Sequence, residues 1–203
     1  FISKVFNMHQ IDHVFLKGAA MLIAEPYAAV SHRMVGDIDI LVYEKEILKA
    51  QQLLLDEGFE ELSDEFSLTK GIFSENSQRH LKRIVHPNYI AAVEIHRRLL
   101  QKENHLITTK DVLNNKIMYK QKHWSPSKQH LWQHAILNWQ YNNRGMIRND
   151  LGFRTLMDVL YLESTDLIEK FGISNRATKH FYSLLSFYYD NYKNYYPEKK
   201  LVY

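Results

Sequence analysis

The stretch Gly36-Asp37-Ile38-Asp39-Ile40-Leu41-Val42 decides the fold of this 203-residue chain. Its apolar and acidic residues alternate, which predicts a β-strand with Asp37 and Asp39 on one face at its beginning. The two Cα atoms would lie about 6.6 Å apart. Such a pair can hold Mg²⁺, which prefers oxygen ligands and keeps positions open for phosphate. Two exposed aspartates without a role would show the same spacing, so the surrounding sequence must distinguish these readings.

Upstream, a strand, a turn and a helix are expected. His13-Val14-Phe15-Leu16 is a short apolar run that stops at Lys17-Gly18, and residues 19–25 have helix-forming composition until Pro26. Free backbone N–H groups at such a turn, together with the positive end of the helix dipole, favour a phosphate. The turn before the acidic strand is therefore a candidate phosphate site.

Downstream, a helix and a hairpin are expected. Residues 44–57 have near-helical spacing of Ile47, Leu48, Leu54 and Leu55, and Gly58 stands where a helix usually ends. Residues 80–86 and 89–96 look extended, and Pro87-Asn88 between them is typical of a turn.

The second arm of this hairpin places Glu94 and His96 on one face. A glutamate within an apolar strand is costly to bury unless it is paired or bound to metal. The basic clusters 80–83 and 96–98 would suit a phosphate or form a solvated face. The sequence thus supplies a third carboxylate after the first two.

Beyond about residue 105 the pattern becomes helical. Ser125-Pro126 predicts the start of one helix. Residues 146–162 predict a second, with Phe153 on its apolar side, and Ser174 would cap a third. We therefore predict an α/β (α+β) protein, with a small mixed β-sheet and flanking helices in residues 1–105 and a helical domain in residues 106–203.

Composition excludes several classes of protein. Apolar residues make up 45% of the chain and charged residues 24%, which is typical of a globular protein. No apolar run approaches the ~20 residues that cross a bilayer, so no membrane partner is expected. The absence of cysteine excludes disulfides and thiolate sites and fits a cytoplasmic location. The net charge of +3 is too small to argue for nucleic acid.

In this order, the motifs resemble the nucleotidyltransferase superfamily related to DNA polymerase β, most closely its family of largely uncharacterised bacterial nucleotidyltransferases. The resemblance covers most of residues 13–163. It is carried by Leu16-Lys17-Gly18-Ala19-Ala20, Arg33, the acidic strand, Gly58-Phe59, Val93-Glu94-Ile95-His96, His134 and Phe153-Arg154-Thr155-Leu156-Met157-Asp158.

The resemblance implies transfer of a nucleotidyl group from a nucleoside triphosphate to a hydroxyl of a small molecule, an RNA or a protein, with release of pyrophosphate. It implies that Mg²⁺ or Mn²⁺ is held by the catalytic residues Asp37, Asp39 and Glu94. The nucleotide-binding residues would be Lys17, Gly18, Ala19 and Arg33, and His96, His134 and Asp158 could lie on the substrate side. The superfamily turn commonly reads Gly-Ser or Gly-Gly, whereas Ala19 offers no hydroxyl.

Alternatives remain open for several residues. Arg33 could be a surface arginine, and His96 a structural histidine. His130 and His134 have the i, i+4 spacing of a zinc pair, without an evident third ligand. Asp158 could pair with Arg154 one helical turn away. The Ala19 departure also supports a second function: a nucleotide-binding or regulatory module that has lost turnover and acts through a protein partner.

Overall fold

The computed structural model describes residues 1–25, 31, 33–62, 78–102, 105–120, 122–162 and 175–192. The chain divides into two compact units, Phe1–Leu131 and Trp132–Tyr203. A mixed sheet with flanking helices lies in the first unit, and helices make up the second. The predicted α/β class is confirmed, while the functional boundary at residue 105 stays a prediction.

The first unit is built on a five-stranded sheet. Its strands are β1 (His13–Phe15), β2 (Asp37–Val42), β3 (Glu60–Glu61), β4 (Ile84–Val85) and β5 (Ala92–His96). They are arranged in the order β1-β2-β5-β4-β3. Strands β2 and β5 run parallel, and the other neighbours are antiparallel. The expected hairpin of residues 80–96 is present, although its first arm is regular only at β4.

Helices flank this sheet. They are α1 (Ile2–Met8), α2 (Lys17–Ala24), α3 (Ile47–Asp56, preceded by a 3₁₀ turn at Glu44–Glu46) and α4 (Thr109–Asn114). Helix α3 buries Ile47, Ala50, Gln51 and Leu54, whereas Leu48 is exposed and does not belong to its apolar face as predicted.

Gly58 ends helix α3 in the predicted way. Its φ of +91° is in the left-handed region, where a side chain would be strained. The N–H of Phe59 donates to the Leu54 carbonyl and that of Gly58 to the Leu55 carbonyl, which closes the last turn.

The segment before α5 (Lys128–Leu137) corrects the predicted helix start. Ser125 is the last residue of a strand, β7 (His123–Ser125), which pairs with β6 (Ile117–Tyr119) in a hairpin that the sequence did not reveal. The helix begins three residues later, and the Ser127 hydroxyl accepts the N–H of His130 at 3.3 Å. Ser127 rather than Ser125 is therefore the capping residue.

In the second unit, the single helix predicted for residues 146–162 is wrong. A π-helical turn (Asn138–Asn142) is followed by α6 (Gly145–Arg148), α7 (Phe153–Leu162) and α8 (Arg176–Tyr192). Asn149 takes a left-handed φ of +56° and interrupts the predicted helix. Phe153 begins α7 and is exposed, contrary to the prediction. The predicted cap Ser174 lies outside the described residues.

Within the described ranges, no helix combines the length and the apolar character needed to cross a bilayer.

Candidate active site

The parallel pair β2 and β5 positions the acidic residues. Asp39 stands directly opposite Glu94 in the register, and Asp37 stands opposite Ala92. Because side chains alternate along a strand, Asp37 and Asp39 share one face of the sheet, and Glu94 and His96 lie on the same side in β5. The sheet thus brings the three predicted carboxylates together at the beginning of two neighbouring strands.

Asp39 is almost fully buried, with 6% of its side chain exposed. Its Oδ1 accepts hydrogen bonds from His96 Nε2 at 2.8 Å and from the Lys17 ammonium. Burial alone would raise the pKa of this carboxyl, but the His96 hydrogen bond and the Lys17 charge outweigh it and hold the pKa below its usual value. Asp39 is therefore ionised and already compensated by the protein's own groups.

Glu94 is similarly buried, with 8% of its side chain exposed. Arg83 Nε donates to Oε1 at 2.8 Å, and His96 Nε2 lies 3.4 Å from Oε2. Burial opposes ionisation, but the bonds from His96 and Arg83 lower the pKa far below its usual range. The ring of His80 packs on His96 and lies 4.0 Å from the Glu94 carboxylate.

Asp37 is more open, with 31% of its side chain exposed. Its Oδ2 lies 3.0 Å from Arg83 Nη2. One guanidinium therefore bridges Asp37 on β2 and Glu94 on β5. The bond to Glu94 raises the pKa of Arg83, despite some burial that opposes it, so this cation stays charged.

His96 contacts both buried carboxylates of the cluster. It is fully buried, and its Nε2 faces both Asp39 and Glu94. Nδ1 has no hydrogen-bond partner in the described part of the chain. A proton on Nε2 fits this arrangement, because that atom faces two acceptors while Nδ1 faces none. The imidazole thus has a structural partner. This agrees with one of the two interpretations left open for His96, that of a structural histidine.

The predicted phosphate turn lies beside the acidic cluster. Lys17 is the first residue of α2 and has a left-handed φ of +49°, while Leu16 precedes the helix without a side-chain cap. A Cβ built on Gly18 would meet Arg33 Nη1 at 3.2 Å and Val35 Cγ2 at 3.1 Å. The guanidinium of Arg33 therefore packs close to Gly18, and Ala19 follows in the same turn.

The donor set fits a hard divalent cation. One ligand atom each from Asp39, Glu94 and His96 lies within 4.8 Å of the other two, and all three residues are buried. Two carboxylates suit Mg²⁺ or Mn²⁺. The imidazole would become a ligand only through a nitrogen that has lost its proton, and such a nitrogen ligand is better tolerated by Mn²⁺. Asp37 offers a further carboxylate beside them. A metal ion here would have to share the carboxylate of Asp39 with Lys17, and those of Asp37 and Glu94 with Arg83.

The remaining predicted residues belong to other elements. His134 on α5 and Asp158 on α7 are both buried and fall in the second unit. His130 contacts Ser127 Oγ through Nδ1 at 3.0 Å. In the described residues, the one group of three potential metal ligands is that of Asp39, so the structure supplies no third ligand for a zinc pair of His130 and His134.

An apolar cavity lies on the opposite face of the sheet. Its volume is about 520 Å³, and Ile38 and Val93 of the two central strands line it together with aromatic side chains. These residues alternate with the acidic ones along β2 and β5. The cavity and the acidic cluster therefore lie on different sides of the sheet.

Sequence reasoning missed the role of Arg83 as the bridge between two carboxylates. It lies in the basic cluster 80–83, which had been considered either a phosphate site or a solvated face. The second cluster is used differently: Arg97 and Arg98 both lie near Glu44 Oε1, at 3.5 and 3.2 Å. A long-range partner such as Glu94 has no signature in the local sequence around Arg83.

Comparisons with known proteins bear on the family and the fold. The model of a family described as uncharacterised nucleotidyltransferases matches residues 2–179. No curated protein sequence matches. The solution structure of the antibiotic-resistance factor ANT(2″)-Ia is similar, with a TM-score of 0.52 at 6% identity over 98% of this chain and 94% of that one.

Two further structures show the same fold. ANT(2″)-Ia in complex with adenylyl-2″-tobramycin has a TM-score of 0.51 at 7% identity, over 92% of this chain and 94% of the other. The lincomycin-bound lincosamide antibiotic adenylyltransferase LnuA has a TM-score of 0.51 at 16% identity, over 79% of this chain and 91% of the other. The expected DNA polymerase β-like fold is confirmed.

Proposed function

Because the chain belongs to the family of uncharacterised nucleotidyltransferases, we propose that it transfers a nucleotidyl group from a nucleoside triphosphate to an acceptor hydroxyl. The observation that carries this proposal is the pairing of Asp39 with Glu94 across β2 and β5, with Asp37 on the same face. Buried carboxylates are expensive to maintain in a sheet unless they are compensated or bind a ligand. Here they lie next to a helix start suited to phosphate.

The nucleotide would bind through its phosphates at the first turn of α2. The N–H groups after Gly18 carry the positive end of the helix dipole, and Lys17 and Arg33 add full charges beside them. Backbone donors and these two cations would replace the hydroxyl that Ala19 lacks. Charge-assisted hydrogen bonds are shorter and stronger than neutral ones, so such a replacement is physically adequate.

Asp37, Asp39 and Glu94 would hold Mg²⁺ or Mn²⁺. When bound, the metal ion neutralises phosphate charge and polarises the reacting oxygens. The acceptor oxygen forms a bond to the α-phosphorus, the bond from that phosphorus to the bridging oxygen breaks, and pyrophosphate leaves with the electron pair. Glu94 would take up the hydroxyl proton. With Arg83 and His96 bound to it, its low pKa makes it a poor base, so this role requires those bonds to weaken.

The acceptor would be a hydroxyl-bearing small molecule, an RNA end or a protein side chain. Two of the similar structures were solved with antibiotic ligands, adenylyl-2″-tobramycin in one and lincomycin in the other. These similarities make hydroxylated small molecules the first class to screen. His96 is buried beneath the carboxylates and would position them, whereas His134 and Asp158 are proposed as substrate-side residues.

A second candidate function is a nucleotide-binding or regulatory module without turnover. Two observations favour it: Ala19 in place of a small polar residue, and an acidic cluster whose charges are already partly compensated by Lys17 and Arg83. Such a module would bind nucleotide and act through a protein partner.

Labelled nucleotide distinguishes the two functions. The protein would be incubated with α-³²P-labelled nucleoside triphosphates, Mg²⁺ or Mn²⁺ and cell extract, with an Asp39→Asn variant as the control. The proposed enzyme labels an acceptor and releases pyrophosphate in a 1:1 ratio, and the variant does neither. If the protein binds the nucleotide but releases no pyrophosphate with any fraction of the extract, the result would instead support the regulatory module.

A further inference from the structure

Arg83 binds the acidic cluster in a way that competes with a metal ion. Its Nε contacts Glu94 Oε1 at 2.8 Å and its Nη2 contacts Asp37 Oδ2 at 3.0 Å. These two carboxylates belong to different strands of the parallel pair. A single planar guanidinium thus bridges both carboxylates, and its one positive charge offsets half of their combined negative charge.

A divalent cation held by Asp37 and Glu94 competes with Arg83 for these carboxylates, because the guanidinium already occupies one oxygen of each. Oxygen ligands of Mg²⁺ lie about 2.0 to 2.1 Å from the ion, which leaves no room for a guanidinium bonded to the same lone pairs. Two like charges at such a distance would also repel each other. Entry of the metal therefore favours the departure of Arg83 from at least one carboxylate.

Arg83 is free to make that movement. Its side chain is 49% exposed, whereas the carboxylate of Glu94 is buried beneath it. Arg83 directly precedes β4, which pairs with β5. A displaced guanidinium would consequently remain tethered beside the cluster. Beside a metal-bound triphosphate, the two donors that now bridge the carboxylates could bridge two phosphate oxygens instead.

We propose that Arg83 is a displaceable cation of this site and one of its nucleotide-binding residues. It bridges Asp37 and Glu94 before the metal arrives, and moves from them to the phosphates when metal and nucleotide bind together. This inference rests on the proposed function, since it requires a triphosphate at the acidic cluster.

The exchange couples the two ligands thermodynamically. Metal alone must break the bonds of Arg83 without offering it a new partner, whereas metal with nucleotide supplies phosphate oxygens in return. The affinity for metal alone is thus reduced and the affinity for the metal–nucleotide complex is increased by the same side chain. Removal of the guanidinium should move these two affinities in opposite directions.

The test compares wild-type protein with Arg83→Gln. Affinity for Mn²⁺ alone is measured from the electron paramagnetic resonance signal of free Mn²⁺, and affinity for Mn²⁺ with the non-transferable analogue α,β-methylene-ATP by calorimetry. We expect Arg83→Gln to bind Mn²⁺ alone about tenfold more tightly and the Mn²⁺–nucleotide complex about tenfold more weakly. Arg83→Lys keeps the charge but cannot bridge two carboxylates. In both titrations its affinity should lie between those of the wild type and of Arg83→Gln.

Arg98→Gln is the matched control, because Arg98 pairs with Glu44 and not with the acidic cluster. Its two affinities should equal those of the wild type. Weakening of both affinities in the Arg83 variants, or no change in either, would overturn the inference while leaving the proposed function standing. Wild-type protein that binds Mn²⁺ but no nucleotide would contradict the proposed function, and this inference with it.

Discussion

At the scale of single residues, the acidic cluster is defined by how each charge is compensated. Asp39 and Glu94 are buried, yet both stay ionised because Lys17, Arg83 and His96 donate to them. A buried carboxylate left without such donors would be neutralised by protonation instead. The cluster is thus kept in its anionic form by three neighbouring side chains.

The first prediction concerns the phosphate contacts. Lys17→Ala and Arg33→Ala should each weaken triphosphate binding by about ten- to a hundredfold, since a charge-assisted bond contributes about 1.5 to 3 kcal/mol. The loss should be smaller for a monophosphate, which offers fewer oxygens. Calorimetric titration of both nucleotides measures this, with the exposed Lys45→Ala as control. Equal losses for both nucleotides would mean that the phosphates bind elsewhere.

At the scale of elements, the sequence predicted the parts whose signals are local. The alternation in β2 and the glycine that ends α3 both depend on neighbouring residues, and both are present. The β6–β7 hairpin was missed because its strands have three residues each, too few for a periodic pattern. The bridge from Arg83 to Asp37 and Glu94 depends on long-range pairing of β4, β5 and β2, which composition alone does not encode.

Gly152 lies in the break between α6 and α7, where the side chain of Trp139 leaves no room for a Cβ atom. A Cβ on Gly152 would lie 2.4 Å from Trp139 Cζ3. Gly152→Ala should therefore destabilise the protein by about 1 to 3 kcal/mol, as overpacking does. At Gly36, no described atom beyond its two chain neighbours lies within 4 Å of the corresponding position. Gly36→Ala should change the stability by less than about 0.5 kcal/mol. Urea denaturation of both variants measures the difference, and equal midpoints would show that Trp139 yields without cost.

At the scale of the whole molecule, the residues of the acidic cluster and of the phosphate turn all belong to the unit Phe1–Leu131. His134 and Asp158 belong to the other unit. The first unit also contains the buried histidine His13, whose Nδ1 donates to the Ile11 carbonyl at 2.9 Å. Its ring packs between those of Phe6 and Phe15. A positive charge on this buried imidazole would therefore lower the stability of the unit.

Stability should decrease on acidification because of His13. Burial lowers its pKa from the ordinary 6.5, so the unfolded chain binds a proton below pH 6.5 that the folded chain does not. The stabilisation is complete above pH 6.5 and is lost as the pH falls towards the lowered value, by at most about 1.4 kcal/mol per pH unit for one proton. Denaturation between pH 8 and 5 should give a flatter curve for His13→Asn, which cannot take up that proton. Parallel curves would contradict this cause.

The central claim is that Asp39 and its partners bind a nucleotide through a metal ion, and calorimetric titration with Mg²⁺–ATP tests it most directly. The comparison is between wild-type protein and Asp39→Asn, which keeps the shape of the side chain and removes its charge. The account predicts measurable affinity for the wild type, no detectable metal-supported affinity for the variant, and a folded variant by circular dichroism. Unchanged Mg²⁺–ATP affinity in a folded Asp39→Asn protein would contradict it.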